Sequence, residues 1–154
     1  MGQLALAVLI LLTLSALASG AEVALFAIPY SQVLTAHEEG RRGSRALKRV
    51  KEQMARPIMA IVVWNNVSNI IGSIVVGAIA GRVFGDKWLG VFSGVLTMLV
   101  ILFAEITPKT LGERYAERIA LAVAPPVLVL SRLMTPLLWF IEQFVRPFVK
   151  DGAT

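Results

Sequence analysis

The stretch LALAVLILLTLSALASGAEVALFAI, residues 4–28, decides the fold of this chain. Its only charged residue is Glu22, and it ends at Pro29, a residue type that terminates helices. Because about 20 consecutive apolar residues let a helix cross a bilayer, the stretch predicts a membrane span. A secretory signal peptide is the alternative. Such peptides carry basic residues before an apolar core of about 7–15 residues, and this stretch has neither feature.

Two further apolar stretches predict two more spans. Residues 58–80 lie between Pro57 and Gly81, and residues 88–106 end before Pro108. Both stretches are long enough to cross a bilayer as helices. Proline and glycine at their boundaries mark the expected helix ends.

The composition of the whole chain agrees with a membrane protein. Of its 154 residues, 56% are hydrophobic and 16% are charged, with a net charge of +5 and no cysteine. Soluble domains carry about 25% charged residues, and one of this length could not bury so much apolar surface in a single core. The composition excludes a disordered chain, a disulfide scaffold and most soluble enzymes. We predict an all-α membrane protein that forms one domain over residues 1–154.

A fourth apolar region, residues 119–148, is less regular than the first three. Pro125 and Pro126 interrupt it, and Arg132 lies near its middle. A charged residue at the centre of a bilayer costs at least about 2.5–3.5 kcal/mol. We therefore predict that residues 114–150 form amphipathic juxtamembrane helices at the membrane interface, with a fourth span as the alternative.

Basic residues are concentrated between the first two spans. Residues 41–56 hold seven lysine or arginine side chains, whereas the 81–87 turn holds two. The positive-inside rule then predicts that residues 29–57 are cytoplasmic, with the N-terminus outside and the C-terminus inside. Residues 31–56 are expected to form amphipathic juxtamembrane helices there. Because they include no aromatic residue, their charge is expected to face anionic lipid headgroups rather than nucleic acid.

The first span carries polar side chains on one helical face. Ser15 and Ser19 are four residues apart, and Glu22 follows three residues later. Gly20, beside them, would let another backbone approach closely. Serines in membrane helices also bond to their own helix or join two helices, which is the purely structural alternative.

The second span carries three amides within five residues, Asn65, Asn66 and Asn69. Amides are costly in hydrocarbon unless they are satisfied. A network of hydrogen bonds between helices would satisfy them without any ligand. That alternative explains one asparagine more readily than three.

The third span ends in Glu105, followed by Pro108 and Lys109. Because proline has no backbone N–H, the carbonyl of Ala104 loses its helical donor. A carboxylate beside a freed carbonyl is typical of the broken-helix ion sites of transporters. The structural alternative is an i, i+4 ion pair between Glu105 and Lys109.

Together these polar groups are all oxygen donors. The only histidine, His37, lies in the basic segment without a recognisable serine or aspartate partner, and no glycine-rich phosphate loop is present. Oxygen ligands suit hard cations such as Mg²⁺, Ca²⁺ or Na⁺. Ion binding is therefore predicted rather than enzymatic activity.

A small-residue motif in the third span concerns assembly. Gly90 and Gly94 form a small-xxx-small pattern, which is typical of close helix contacts between subunits. Packing within the chain against Gly72 or Gly77 is the alternative.

The three polar motifs, SALASGAE at 15–22, NNVSN at 65–69 and EITPKT at 105–110, resemble the transmembrane domain of the CorC/cyclin M (CNNM) family of magnesium transporters. The resemblance covers essentially the whole chain. It implies a homodimer of three-span subunits in the plasma membrane that exports Mg²⁺, with Na⁺ exchanged for it. A divalent-cation sensor and a structural anchor without transport are the alternative functions. The family continues into cystathionine-β-synthase-type nucleotide-binding domains, which this chain lacks, so regulation by nucleotide is not expected of it.

The resemblance also implies residue roles. The implied metal ligands are Ser15, Ser19, Asn66, Asn69 and Glu105. The implied secondary, Na⁺-related or gating residues are Gly20, Glu22, Asn65, Pro108, Lys109 and Gly112. Among the latter, Pro108 and Gly112 are expected to be the hinge that opens the site.

Overall fold

The computed structural model describes the backbone of residues 1–150 and the side chains of residues 1–147. The described backbone is 91% helical and contains no strand. The last four residues of the predicted single domain lie outside the described part. The elements, in chain order, are α1 (Gly2–Ala27), α2 (Tyr30–Glu38), α3 (Ser44–Glu52), α4 (Ala55–Phe84), α5 (Asp86–Leu99), a π-helical segment (Val100–Ile106), α6 (Thr107–Arg114), α7 (Ala116–Leu133) and α8 (Thr135–Lys150).

Three helices are long and apolar enough to cross a membrane, which confirms the all-α membrane fold. They are Gly2–Ala27, Ala55–Phe84 and Asp86–Arg114, with 26, 30 and 29 residues. Each exceeds the roughly 20 residues that a bilayer requires. The direction in which they cross remains a prediction from the basic residues.

The third span continues beyond its predicted end. The apolar stretch predicted an end at residue 106, but the span continues through the π-helical segment and α6 to Arg114. In the π-helical segment the N–H of Thr107 donates to the carbonyl of Leu102, five residues back. This wider turn places Pro108 in the first turn of α6, where a missing N–H breaks no helical bond. The proline is therefore accommodated without ending the span.

The fourth apolar region also bends at a different residue from the one that its prolines predicted. Pro125 and Pro126 lie inside the continuous helix α7, and the chain bends by 73° between α7 and α8, at Met134. The pair is L-shaped rather than one straight span. Its predicted place at the membrane interface is compatible with this shape and stays a prediction.

The buried core joins the spans to the helices outside them. Leu25 of α1, Val33 of α2, Leu47 of α3 and Ala120 of α7 belong to one buried cluster, together with Ile61 of α4. Near the other end of the spans, a smaller cluster packs α1 against α4 and α5. The two clusters fix the rotation of α1 against α4, which decides which polar side chains face each other.

Large apolar side chains cover the outer faces of α4 and α5. Ile70, Ile74, Trp88 and Met98 are all more than half exposed. A patch of this kind is unusual on a soluble monomer and is expected where lipid or another membrane helix covers the surface.

A lysine ties the α2–α3 pair to the end of the first span. The Nζ of Lys51 in α3 donates to the carbonyl of Leu25 in the last turn of α1, at 2.8 Å. The last carbonyls of a helix lack intrahelical donors, so a nearby cation both bonds them and complements the helix dipole. Partial burial lowers the pKa of Lys51.

A bidentate ion pair holds α8 against the start of α4. Arg56 donates from Nε and Nη2 to the two carboxylate oxygens of Glu142, at 2.8 and 2.9 Å. The hydrogen bonds and charge of Arg56 lower the pKa of Glu142. The pair therefore stabilises the α4–α8 contact whenever the carboxyl is ionised.

We expect Glu142→Gln to be slightly less stable than the wild type at pH 7, with a gap that closes on acidification. A lowered pKa means that the stabilising contribution is full above the ordinary glutamate value of about 4.3 and is lost as the pH falls through the lower folded value. Thermal unfolding of both proteins in detergent between pH 7 and pH 3 measures this gap. A gap that stays constant over that range would contradict the ion-pair explanation.

Candidate functional site: a buried polar seam between the first two spans

The predicted polar residues of the first two spans meet at the α1–α4 contact. Ser15 and Ser19 are fully buried. Ser15 donates from Oγ to the Oδ1 of Asn65 at 2.9 Å. Asn69, one turn further along α4, donates from Nδ2 to the same oxygen at 3.4 Å. We call these four residues, Ser15, Ser19, Asn65 and Asn69, the polar seam.

Two oxygens of the polar seam are buried without a hydrogen-bond partner. They are the Oγ of Ser19 and the Oδ1 of Asn69. A buried polar atom that loses water and gains no partner costs about 1–3 kcal/mol. Unsatisfied buried groups are rare in native proteins and call for a specific explanation, such as a bound ion or water. Hydrogen bonds between helices, which were the structural alternative, account for Ser15 and Asn65. They do not satisfy the Oγ of Ser19 or the Oδ1 of Asn69.

Asn66 lies outside the polar seam. Its side chain is exposed, and its Nδ2 donates to the carbonyl of Val62 in its own helix at 3.0 Å. Asn65, for which the resemblance implied only a secondary role, instead accepts both hydrogen bonds of the polar seam. The sequence did carry the signal for this, because Ile61, Asn65, Asn69, Gly72 and Val76 recur at helical spacing along one face of α4.

Glu105 lies in the π-helical segment, half-buried, and this segment packs against α1. No ion pair joins Glu105 to Lys109; the ion pairs of the described residues are Arg41–Glu117 and Arg56–Glu142. The ion pair with Lys109, which was the structural alternative for Glu105, is therefore not formed. A π-helical turn inside an α-helix is frequent at functional sites, because it redirects the side chains that it carries.

Lys109 lines a separate cleft between α1 and α6. This cleft has a volume of about 370 Å³, and Glu22 and Glu113 line it as well. Two carboxylates and one ammonium leave it a net charge of −1. Glu113 was not among the predicted site residues because it lies beyond the predicted end of the third span. The i, i+4 spacing of Lys109 and Glu113 on a continuous helix was the available signal.

A direct backbone contact brings α1 and α6 together beside the polar seam. A Cβ atom on Gly112 would lie 2.6 Å from the carbonyl oxygen of Gly20, and one on Gly20 would lie 3.3 Å from that of Pro108. No side chain separates the two backbones. Since Ser19 adjoins Gly20 and Glu105 is one turn before Pro108, this crossing holds the carboxylate segment beside the polar seam.

The polar side chains of the first two spans lie at the same depth along the helices. The Ser15–Asn65 hydrogen bond requires these two residues to lie level. The α1 and α4 helices run antiparallel, since Leu11 near the start of α1 contacts Gly72 beyond the middle of α4. The seam therefore lies at one depth, about halfway along α1.

The seam contains no carboxylate cage. Among the described residues, no group of three or more His, Cys, Asp or Glu side chains is placed to hold a metal ion. Neutral hydroxyl and amide oxygens dominate, with one carboxylate on the neighbouring span. This donor set suits a hard cation that keeps part of its water shell.

The domain has three candidate spans, and a buried polar seam lies between the first two. These features define a polytopic membrane protein. Residues 6–152 match the family described as the cyclin M transmembrane N-terminal domain, CNNM. The chain therefore belongs to this family, as the motifs of the three spans indicated.

Named relatives share most of this chain. It is 48% identical to the UPF0053 protein sll1254 of Synechocystis, over 95% of this chain and 42% of the relative. It is 30% identical to the UPF0053 inner membrane protein YfjD of Escherichia coli, over 89% of this chain and 32% of that protein. The polyamine export protein of Haemophilus influenzae is 25% identical over 94% of this chain and 37% of its own length. The chain thus spans less than half the length of these relatives.

Proposed function

We propose that this domain transports Mg²⁺ across the plasma membrane, exporting it in exchange for Na⁺. The observation that carries the proposal is the pair of buried oxygens without partners, on Ser19 and Asn69. They lie between spans, next to a segment that carries a carboxylate. The resemblance of all three motifs to a magnesium-transporter family supports the choice of ion.

The proposed ligands are the oxygens of Ser15, Ser19, Asn66, Asn69 and Glu105. Mg²⁺ favours six oxygens at about 2.0–2.1 Å and gives up water reluctantly. Ser19 and Asn69 already have free lone pairs, and Asn65 orients the neighbouring side chains by accepting from Ser15 and Asn69. Because Asn66 lies outside the polar seam, α4 would have to turn before the Oδ1 of Asn66 could reach an ion held there.

The cleft lined by Glu22, Lys109 and Glu113 is the proposed cytoplasmic entrance. Its net negative charge attracts cations and raises their local concentration. It adjoins the Gly20–Gly112 contact, where a small shift of α6 on α1 would open or close a path to the polar seam. Pro108 and the π-helical turn supply the proposed hinge.

We further propose that two copies pair through α5. A Cβ atom on Gly90 or Gly94 would meet no atom within 4 Å, so neither glycine packs against Gly72 or Gly77. The exposed small-xxx-small face is thus free to receive a second copy. Because the chain has no cysteine, Gly94→Cys gives a clean crosslinking test. A crosslinked dimer in membranes supports the pairing, and monomer alone contradicts it.

A flux assay in proteoliposomes tests the proposed function. Vesicles loaded with Mg²⁺ and a fluorescent magnesium indicator are placed in an external Na⁺ gradient. Loss of internal Mg²⁺ that depends on the gradient supports exchange. Stabilisation by Mg²⁺ without flux would make the domain a sensor, and neither effect would make it an anchor. Because one relative is named a polyamine export protein, a parallel arm with labelled spermidine identifies a polyamine substrate instead.

We expect Ser19→Ala to lose stabilisation by Mg²⁺ without losing stability in its absence. The Oγ of Ser19 makes no hydrogen bond, so its removal costs nothing in the ion-free protein and removes a buried unsatisfied group. In the ion-free protein Ser15→Ala should behave differently, because it breaks the bond to Asn65 and should lower stability by about 1 kcal/mol. Thermal unfolding with and without Mg²⁺ measures both effects. An unchanged Mg²⁺ response in Ser19→Ala would remove this residue from the site.

A further inference from the structure

A cleft of about 480 Å³ lies between the α2–α3 loop and α7, away from the polar seam. The loop contributes Arg41 and Arg42, and α7 contributes Arg118. The remaining lining residues are Gly43, Leu121, Ala122 and Pro125. None of these residues belongs to the proposed cation path, so cation transport does not explain why three arginines line this cleft.

The cleft carries unbalanced positive charge. Arg41 is paired with Glu117, whereas neither Arg42 nor Arg118 has an ion-pair partner among the described side chains. Three guanidinium groups and one carboxylate leave a net charge of +2. Guanidinium groups bind phosphate bidentately, and two that converge on one cleft suit an anion of that shape.

The loop that carries two of these arginines is held in one conformation. Gly43 has a φ of +83°, and a Cβ atom on it would lie only 2.1 Å from the carbonyl oxygen of Leu121 in α7. A side chain at this position would clash with the α7 backbone. Both the positive φ and this close approach therefore require glycine. The N–H of Ser44 donates to the carbonyl of Arg41 at 3.1 Å. A loop fixed in this way presents its arginines without a large ordering cost.

The floor of the cleft offers an acceptor as well as donors. Because Pro126 has no N–H, the carbonyl of Ala122 loses its α-helical donor, whereas the carbonyl of Leu121, freed by Pro125, is covered by Gly43. A ligand that combines a phosphate with a hydroxyl group would pair with both the arginines and the carbonyl of Ala122.

The position of the cleft favours a lipid as the source of the phosphate. Charged residues occupy the first turn of α7, whereas beyond Pro126 the helix exposes Val129 and Leu133. The cleft thus lies where charged surface gives way to apolar surface. Such a boundary is where phospholipid headgroups are found.

We propose that Arg42 and Arg118, with the loop at Gly43, form a specific binding site for the phosphate headgroup of an anionic phospholipid. A hydroxyl-bearing headgroup such as phosphoglycerol fits the donors and the acceptor of the cleft. The bound lipid would join the α2–α3 loop to α7 from outside the protein.

Lipid titration of the purified chain tests this site. Thermal unfolding and native mass spectrometry are recorded with phosphatidylglycerol, phosphatidylcholine or inorganic phosphate. We expect stabilisation and retained lipid with phosphatidylglycerol alone. Arg42→Gln and Arg118→Gln should each weaken that binding at least about tenfold. Arg49→Gln, an equal charge removal on the exposed face of α3, should leave it unchanged.

Several results would overturn the assignment. An equal loss in Arg49→Gln would mean non-specific attraction to the basic segment. Equal stabilisation by phosphatidylcholine would remove the role of the charge, and equal binding of inorganic phosphate would remove the role of the lipid. If Arg118→Gln fails to fold, Arg42→Gln, whose side chain lies in an exposed loop, still decides the question. The Mg²⁺ response of Arg42→Gln should stay normal, which separates this site from the proposed transport.

Discussion

Replacing Glu105 by alanine is expected to reduce Mg²⁺ flux on the order of 100-fold while the protein still folds. Glu105 is the only carboxylate in the π-helical segment, which packs against α1, the helix that carries Ser15 and Ser19. Neutral oxygens alone repay little of the cost of stripping water from a divalent cation. Removing the charged partner of a buried ion costs about 3 kcal/mol or more, and each 1.36 kcal/mol is a tenfold change in rate. Flux in proteoliposomes measures the effect.

Two matched variants separate the role of Glu105 from the general effect of charge. Glu113→Ala removes the same group from the neighbouring cleft and is expected to reduce flux only a few-fold, by weakening the attraction of cations to the entrance. Glu105→Gln keeps one oxygen ligand without the charge. Its Mg²⁺ flux should lie between that of Glu105→Ala and that of Glu113→Ala. Because Glu105 makes no ion pair with Lys109, its removal leaves no partner unpaired and should not lower stability. Normal Mg²⁺ flux in Glu105→Ala would refute the proposed site.

Hydrophobic length predicted the spans correctly, but local rules for proline misplaced two helix boundaries. An apolar run must be buried or face lipid whatever its neighbours do, so its length is a dependable signal. The effect of a proline depends on the backbone around it. Pro108 is absorbed by a π-helical turn, and Pro125 and Pro126 sit in α7 where a loop packs against the freed carbonyl of Leu121. Neither compensation can be read from residue spacing.

The polar residues of the site were predictable as a group, but not all of their partners were. Their cost in hydrocarbon marks Ser15, Ser19 and the asparagines as unusual without any structure. The choice between Asn65 and Asn66 depends on the rotation of α4 about its axis. That rotation is set by packing, in particular by the close contact of Gly72 with Leu11. Gly72 lies seven residues after Asn65, two helical turns along the same face, so the contact turns Asn65 rather than Asn66 towards α1.

Adding a single methyl group at Gly112 is expected to destabilise the domain, whereas the same change at Gly77 is not. On Gly112 the new Cβ would lie 2.6 Å from the carbonyl oxygen of Gly20, so α6 and α1 must move apart. Overpacking of this kind costs about 1–3 kcal/mol, and the gain in helix propensity of about 1 kcal/mol offsets only part of it. On Gly77 of α4 the new Cβ would meet no atom within 4 Å outside its own helix, so only the gain in propensity remains.

The glycine substitutions also test whether the α1–α6 contact controls transport. Gly20→Ala should give a milder loss, since its Cβ would lie 3.3 Å from the carbonyl of Pro108. We therefore expect thermal stability and Mg²⁺ flux to fall together in the order Gly77→Ala, Gly20→Ala, Gly112→Ala, from no loss to the largest. If Gly112→Ala and Gly77→Ala proved equally stable and equally active, the close backbone contact could not be what holds the Glu105 segment against α1. A loss of flux in Gly112→Ala with unchanged stability would instead assign the contact to the moving part of the transport cycle, because separation of the helices would then affect only the step in which α6 shifts on α1.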